Sequence, residues 1–235
     1  MRRSLILVIV LTGLISGQSV SSEGETLVYA AGFRLFSAGT ATMELTDPSP
    51  EDPDNSLRII SRTETDPLFD HIYRIRDRIE LRIRPETWEL EYMFRDIQEG
   101  HYTLQDSAIV DRGAGLIYTQ KDTLAVEGPI YDPVGAIYYL RSLPLEVGDE
   151  ITLNIFNGRR MREIIIRVTG KEQIRVPAGE FECLVLRPAA ADNRRLTKVD
   201  GLLHIWLATD QRRTPVRVEQ KTGFGTMVMK LMEAR

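Results

Sequence analysis

The sequence predicts an antiparallel β-barrel, or a strongly curved sheet, with one short central helix. Three observations predict it. Apolar and polar residues alternate with period two along much of the chain, most clearly over 71–84 and 151–168. Turn signals interrupt these runs at short intervals. One stretch, 133–143, instead has helical spacing, between a capping Asp132 and a terminating Pro144. A β-sandwich with a connecting helix is the competing architecture.

Residues 1–22 read as a secretory signal peptide. Arg2 and Arg3 precede the apolar run Leu5 to Leu11, and small or polar residues follow from Ser16 to Ser22. The run is shorter than the ~20 apolar residues of a membrane-spanning helix, so no integral span is expected after cleavage. No Cys lies near the cleavage zone to carry a lipid anchor. The expected location is the periplasm, or the exterior after secretion. Residues 23–235 show no repeat and no linker and are expected to form a single β-rich domain. Losing Arg2 and Arg3 and no acids moves the formal charge from −4 to −6. Such a balance lacks the clustered basic face that nucleic acid requires. The single Cys183 has no internal disulfide partner; its apolar neighbours Phe181, Leu184 and Leu186 favour a quiet core thiol, with an intermolecular link as the alternative.

Alternation starts with Leu27, Tyr29 and Phe33, turns at Ala38-Gly39, and resumes with Ala41, Met43 and Leu45. Asp47 to Asn55 is a polar, proline-broken loop, expected to be a mobile tip. Leu57 to Thr65 pairs again, and Asp66 to Asp70 turns the chain. Over 71–84, Tyr73, Ile75, Ile79, Leu81 and Ile83 take one face and Arg74, Arg76, Arg78, Glu80, Arg82 and Arg84 the other. That basic row reads as a solvated face answered by acids of a neighbouring strand, Glu89 and Glu91 among them. Trp88, Leu90, Tyr92 and Phe94 are expected to form the next inward set, across a turn at Arg84 to Thr87. Shorter strands flank Asp111 to Gly115. After the helix, Asn157-Gly158 predicts a two-residue type I′ hairpin in which Ile151 faces Ile164. Val176 to Phe181 is a tight turn into a strand ending at Leu186. Arg187 to Asp200, with Arg194, Arg195 and Lys198, reads as a second mobile, partner-facing loop. Leu203 to Leu207, Val216 to Val218 and a closing strand with Met227, Met229 and Leu231 complete the chain.

The helix carries the candidate site. Pro133 suits the first helical position, and Val134, Ile137, Tyr138 and Arg141 recur along one stripe. A rod of about 16 Å is unstable alone in water, so packing on the sheet must hold it. Asp77 falls among the inward apolar residues of its strand, where a carboxylate needs a partner or a proton. Arg141, favoured near a helix C-terminus, is the expected partner, as a structural clamp first and a ligand clamp second. Asp77, Tyr138, Tyr139 and Arg141 are therefore the candidate ligand-binding residues. His71, His101 and His204 are scattered without metal-ligand spacing, and no nucleophile elbow or phosphate loop is present. No catalytic residue, metal or cofactor is expected.

The run from Asp132 to Asp149 resembles the central signature of an exported bacterial family, domain of unknown function 3108. Val176 to Phe181, and Ile205 to Asp210 followed by Arg213-Thr214-Pro215-Val216, are similar to its later landmarks. Tyr29 through Gly39 is similar to its opening strand pair. The resemblance implies a periplasmic, β-rich protein without assigned catalysis, and supplies no functional residues. The leading expectation is a non-catalytic cell-envelope binding or interaction module for an amphipathic small molecule or an envelope partner protein. A purely structural envelope component and a hydrolase of envelope polymers are the alternatives.

Overall fold

The computed structural model describes residues 24–33, 36–48, 55–191, 203–222 and 225–235. The expected signal segment 1–22, most of the 47–55 loop and the 192–202 part of the basic loop lie outside them. Alternating side chains give an antiparallel sheet of fourteen strands among the described residues, in the order β8-β7-β6-β5-β4-β3-β2-β1-β14-β13-β12-β11-β10-β9. The strands are β1 (Glu25–Phe33), β2 (Phe36–Thr46), β3 (Leu57–Thr65), β4 (Arg76–Ile83), β5 (Leu90–Glu99), β6 (Tyr102–Asp111), β7 (Leu116–Thr119), β8 (Thr123–Ala125), β9 (Glu150–Phe156), β10 (Met161–Val176), β11 (Gly179–Ala190), β12 (Leu203–Ala208), β13 (Pro215–Thr222) and β14 (Gly225–Ala234). Two helical segments interrupt them, α1 (Pro67–Asp70) and α2 (Pro133–Ser142). One continuous sheet excludes the sandwich.

The sheet curls without closing strand to strand. An extended segment laces the gap between β5 and β9. The Leu90 N–H donates to the Ile130 carbonyl at 2.9 Å, the Tyr131 N–H to Asn154 at 3.0 Å, and the Phe156 N–H to Tyr131 at 2.8 Å. These bonds satisfy backbone groups that an open edge would expose. A side-chain clamp backs them up. Arg95 is held by Asp106 and donates Nη1 to the Asn157 carbonyl at 2.5 Å. β6, β7 and β8 run on beyond this seam as a flap.

Several elements depart from the sequence reading. α1 is a second, four-residue helical turn, formed where Phe69 and Asp70 donate to the Asp66 carbonyl. It pushes residues 71–74 into a turn, so Tyr73 is exposed rather than inward and β4 begins at Arg76. A bulge opposite Arg82 and Ile83 flips the parity of β5. Leu90 and Met93 therefore face the core, while Tyr92 turns outward to stack beneath Arg82, 4.6 Å from its ring. The β9–β10 loop holds four residues, because the Asn157 side chain accepts from the Arg159 and Arg160 N–H groups. Ile151 consequently faces Ile166, a slip of two that leaves Leu153, Ile164, Ile166 and Val168 buried. β11 continues through Arg187 to Ala190, so the basic loop begins later than expected.

Within the basic row, Arg84 meets the expected acids of the neighbouring strand, Arg76 and Arg78 find acids on α1 and on their own strand, and Arg82 lies over Tyr92. Arg58 and Arg62 of β3 pair as well. Arg58 and Arg78 reach Glu80, Arg62 reaches Glu44, Arg76 reaches Asp70, and Arg84 reaches Glu89 and Glu91. Cys183 is buried, and burial pushes its thiol up to about 12.

Gly158 tests the seam. It has φ +81°, and an added Cβ would meet the Arg95 guanidinium carbon at 2.2 Å. Gly158→Ala should destabilise the protein by about 1–3 kcal/mol through backbone strain and loss of the Arg95 clamp, read from urea unfolding midpoints at constant slope.

Candidate functional site

α2 lies across one mouth of the curled sheet. Its start is local chemistry: Asp132 Oδ1 accepts from the Val134 N–H at 2.7 Å and the Gly135 N–H at 3.4 Å, and Pro133 follows the cap. Its end is equally local, with Leu143 extended ahead of Pro144. Because the gap-lacing segment runs straight into Asp132, the seam fixes where the helix begins. Burial pushes the Asp132 carboxyl up to about 6, against the opposing pull of the two N–H donors and of Arg95.

The far end of α2 is tied by a buried ion pair. The Arg141 side chain is 0% exposed. Its Nη1 and Nη2 each donate to Glu25 at 2.6 Å, and Nε and Nη2 also donate to the Arg212 carbonyl. One guanidinium thus joins α2, the first residue of β1 and the β12–β13 turn. This corrects the expected partner: Glu25, not Asp77, holds Arg141. Glu25 shares the parity of Leu27 and Tyr29, so alternation did mark it as inward-facing.

Aromatic rings complete the site. Tyr138 is fully buried, stacks on Trp88 at 5.9 Å, and lies under the Arg141 guanidinium at 5.0 Å. Trp88 holds φ +60° to reach it, a strained conformation for a bulky residue. The neighbouring Tyr29 hydroxyl donates to the Pro215 carbonyl at 2.8 Å. The Tyr138 hydroxyl, by contrast, reaches no acceptor among the described residues, and its polar neighbour is the Arg141 guanidinium. Burial raises both phenols well above their ordinary range, so both stay neutral. Tyr139 points to a second stack, with Tyr131 at 4.6 Å.

Of the four candidates, Tyr138 and Arg141 come together, Tyr139 lies beside them, and Asp77 belongs to another wall. Asp77 accepts the Gln98 N–H at 3.0 Å, and burial followed by the charge of Glu99 pushes it up to about 6. The reading from sequence missed Glu25, Tyr29, Tyr131 and the structural use of Trp88. Among the described residues, no three His, Cys, Asp or Glu side chains group tightly enough to hold a metal ion. No helix among them is long and apolar enough to cross a membrane.

Residues 27–232 match the family described as "Protein of unknown function (DUF3108)". The chain belongs to this family. No curated protein matches it. Among solved structures, the chain is similar to a β-barrel-like protein of domain of unknown function DUF1849 from Brucella abortus. That pair has a TM-score of 0.63 at 10% identity, covering 92% of this chain and 99% of the other. A DUF1089 family protein from Pseudomonas aeruginosa has a TM-score of 0.36 at 11% identity, covering 92% and 95%. The Brucella likeness establishes a shared barrel-like fold at a distance where sequence no longer does, and it carries no activity with it.

Two outcomes follow from this geometry. Arg141→Ala should cost about 3–5 kcal/mol by stranding Glu25, whereas the double change Glu25→Leu with Arg141→Met should recover most of that loss, both measured by denaturant unfolding. Asp132 binds a proton more tightly folded than unfolded, so its contribution to stability is present below pH 4 and is lost as pH rises to about 6. Relative to Asp132→Asn, the parent should therefore lose stability across that window, as read by urea titration at pH 4, 5, 6 and 7.

Proposed function

We propose that the protein is a non-catalytic binding module of the cell envelope, periplasmic or secreted after removal of residues 1–22, whose aromatic interior takes an amphipathic ligand. The reading rests on one observation. The Tyr138 hydroxyl is fully buried beside the Arg141 guanidinium, which can only donate to it, and its own O–H reaches no acceptor among the described residues, in a wall of Trp88, Tyr29 and apolar side chains. Buried polar atoms in native proteins nearly always find a partner, and each exception calls for a reason. A ligand whose polar group accepts from Tyr138, and whose apolar body lies along the inner wall, supplies one. The N-terminal run supports an envelope location.

Tyr138→Phe separates this role from packing. Deleting an unsatisfied buried hydroxyl should leave stability unchanged or raise it by about 1 kcal/mol. Native mass spectrometry of protein purified from its own cells should show a lipid-like adduct on the parent and a several-fold smaller occupancy on Tyr138→Phe. A parent without any adduct, or equal occupancy in both, overturns the reading.

A further inference from the structure

Strand directions place the β1–β2, β3–β4, β5–β6, β9–β10 and β13–β14 connections together, at the end away from the Arg141 anchor. That end is unlike the rest of the surface. Five of the protein's large exposed apolar residues gather there: Phe36, Leu68, Ile72, Tyr73 and Tyr102. Leu68 and Ile72 are the most exposed, at 73% and 78%. The patch is built rather than incidental. Phe36 stacks on Phe69 at 5.5 Å, and Phe33 lies 5.5 Å from Phe36. Tyr73 rests on Gly100, where a side chain would meet its ring at 2.7 Å. The α1 turn therefore lifts Leu68 and Ile72 outward on a fixed base, and the Phe69 carbonyl accepts from the Ile72 and Tyr73 N–H groups.

Charge separates the two ends. Exposed Arg74, Lys121, Arg159, Arg160 and Lys221 stand at the apolar end, with His71 and His101, against exposed Glu64, Asp66, Asp122 and Glu163. At the helix-plugged end, exposed acids that include Asp47, Glu86, Glu127, Glu146, Asp149 and Asp210 outnumber exposed Arg58, Arg175, Arg212 and Arg235. A chain that is acidic overall thus gathers its exposed acidic excess at the plugged end and keeps cations beside its exposed leucine, isoleucine and tyrosine. Convex aliphatic tips, tyrosines with polar ends and flanking cations are the features of a surface that sinks shallowly into anionic lipid.

We propose that this end docks on an anionic lipid surface, inserting Leu68 and Ile72 and leaving Arg74, Arg159 and Arg160 at the headgroups. The proposal is independent of any ligand at Tyr138. The acidic excess at the plugged end orients the barrel as it approaches, since like charge turns that end away.

The test uses protein purified from its own cells and flotation with vesicles of phosphatidylethanolamine and phosphatidylglycerol, or of phosphatidylcholine alone. The parent should float with the anionic vesicles, less so at high salt, and poorly with phosphatidylcholine. Leu68→Glu with Ile72→Glu should cut association at least tenfold while the thermal melt stays unchanged, because both side chains are already in water. Arg159→Glu with Arg160→Glu should weaken it several-fold and flatten the salt dependence. Failure of the parent to float, or undiminished binding by Leu68→Glu with Ile72→Glu, overturns the proposal. So does self-association in sedimentation, abolished by the same pair of changes, with no vesicle binding; the end would then be an interface between copies of the chain.

Discussion

A sheet that curls back on itself without pairing its ends must satisfy the backbone along the gap, and everything else here depends on how that is done. Ile130 and Tyr131 supply three backbone hydrogen bonds between β5 and β9. The bonds matter less for their net strength, about 1 kcal/mol each, than for the cost of leaving such groups buried and unmade. They also set position. The next residue is the helix cap, so the seam delivers α2 to the mouth it covers.

From that fixed start, α2 behaves as a strut pinned at both ends. Local capping holds its first turn, and a buried ion pair holds its last. Burying a charge pair brings little net stability, but it ties three separated segments to one geometry. The aromatic stacks of Trp88 on Tyr138 and Tyr131 on Tyr139 fill the space between. Strain at Trp88 and an unsatisfied hydroxyl at Tyr138 sit side by side there. Local rules give way most at this place, which is where function is commonly found. Elsewhere the charges follow ordinary surface logic: Arg58, Arg62 and Arg78 find acids on their own sheet, and Arg76 finds one on α1.

Much of this was legible because it is local. Asp132, Pro133 and Pro144 bound the helix through chemistry within a few residues, and alternation named Leu81, Ile83, Leu153 and Ile166 as buried. Errors arose where one atom overrode a pattern. The Asn157 side chain chose a longer loop and slid the β9–β10 register by two, and a bulge at β5 exchanged Tyr92 for Met93 on the inner face. Parity survived the first error, since a slip of two preserves the side that each residue faces, and not the second.

The sequence by itself determined the class of fold, the family and the bounds of the helix, because periodicity and capping act between near neighbours. Only the tertiary structure decided that the sheet stays open, that Arg141 is held by Glu25, and that one rim gathers exposed apolar side chains. Those outcomes join residues far apart in the chain, 116 positions apart for the ion pair. Asp77 was the acid that alternation offered to that guanidinium, and the curl of the sheet selected Glu25 instead.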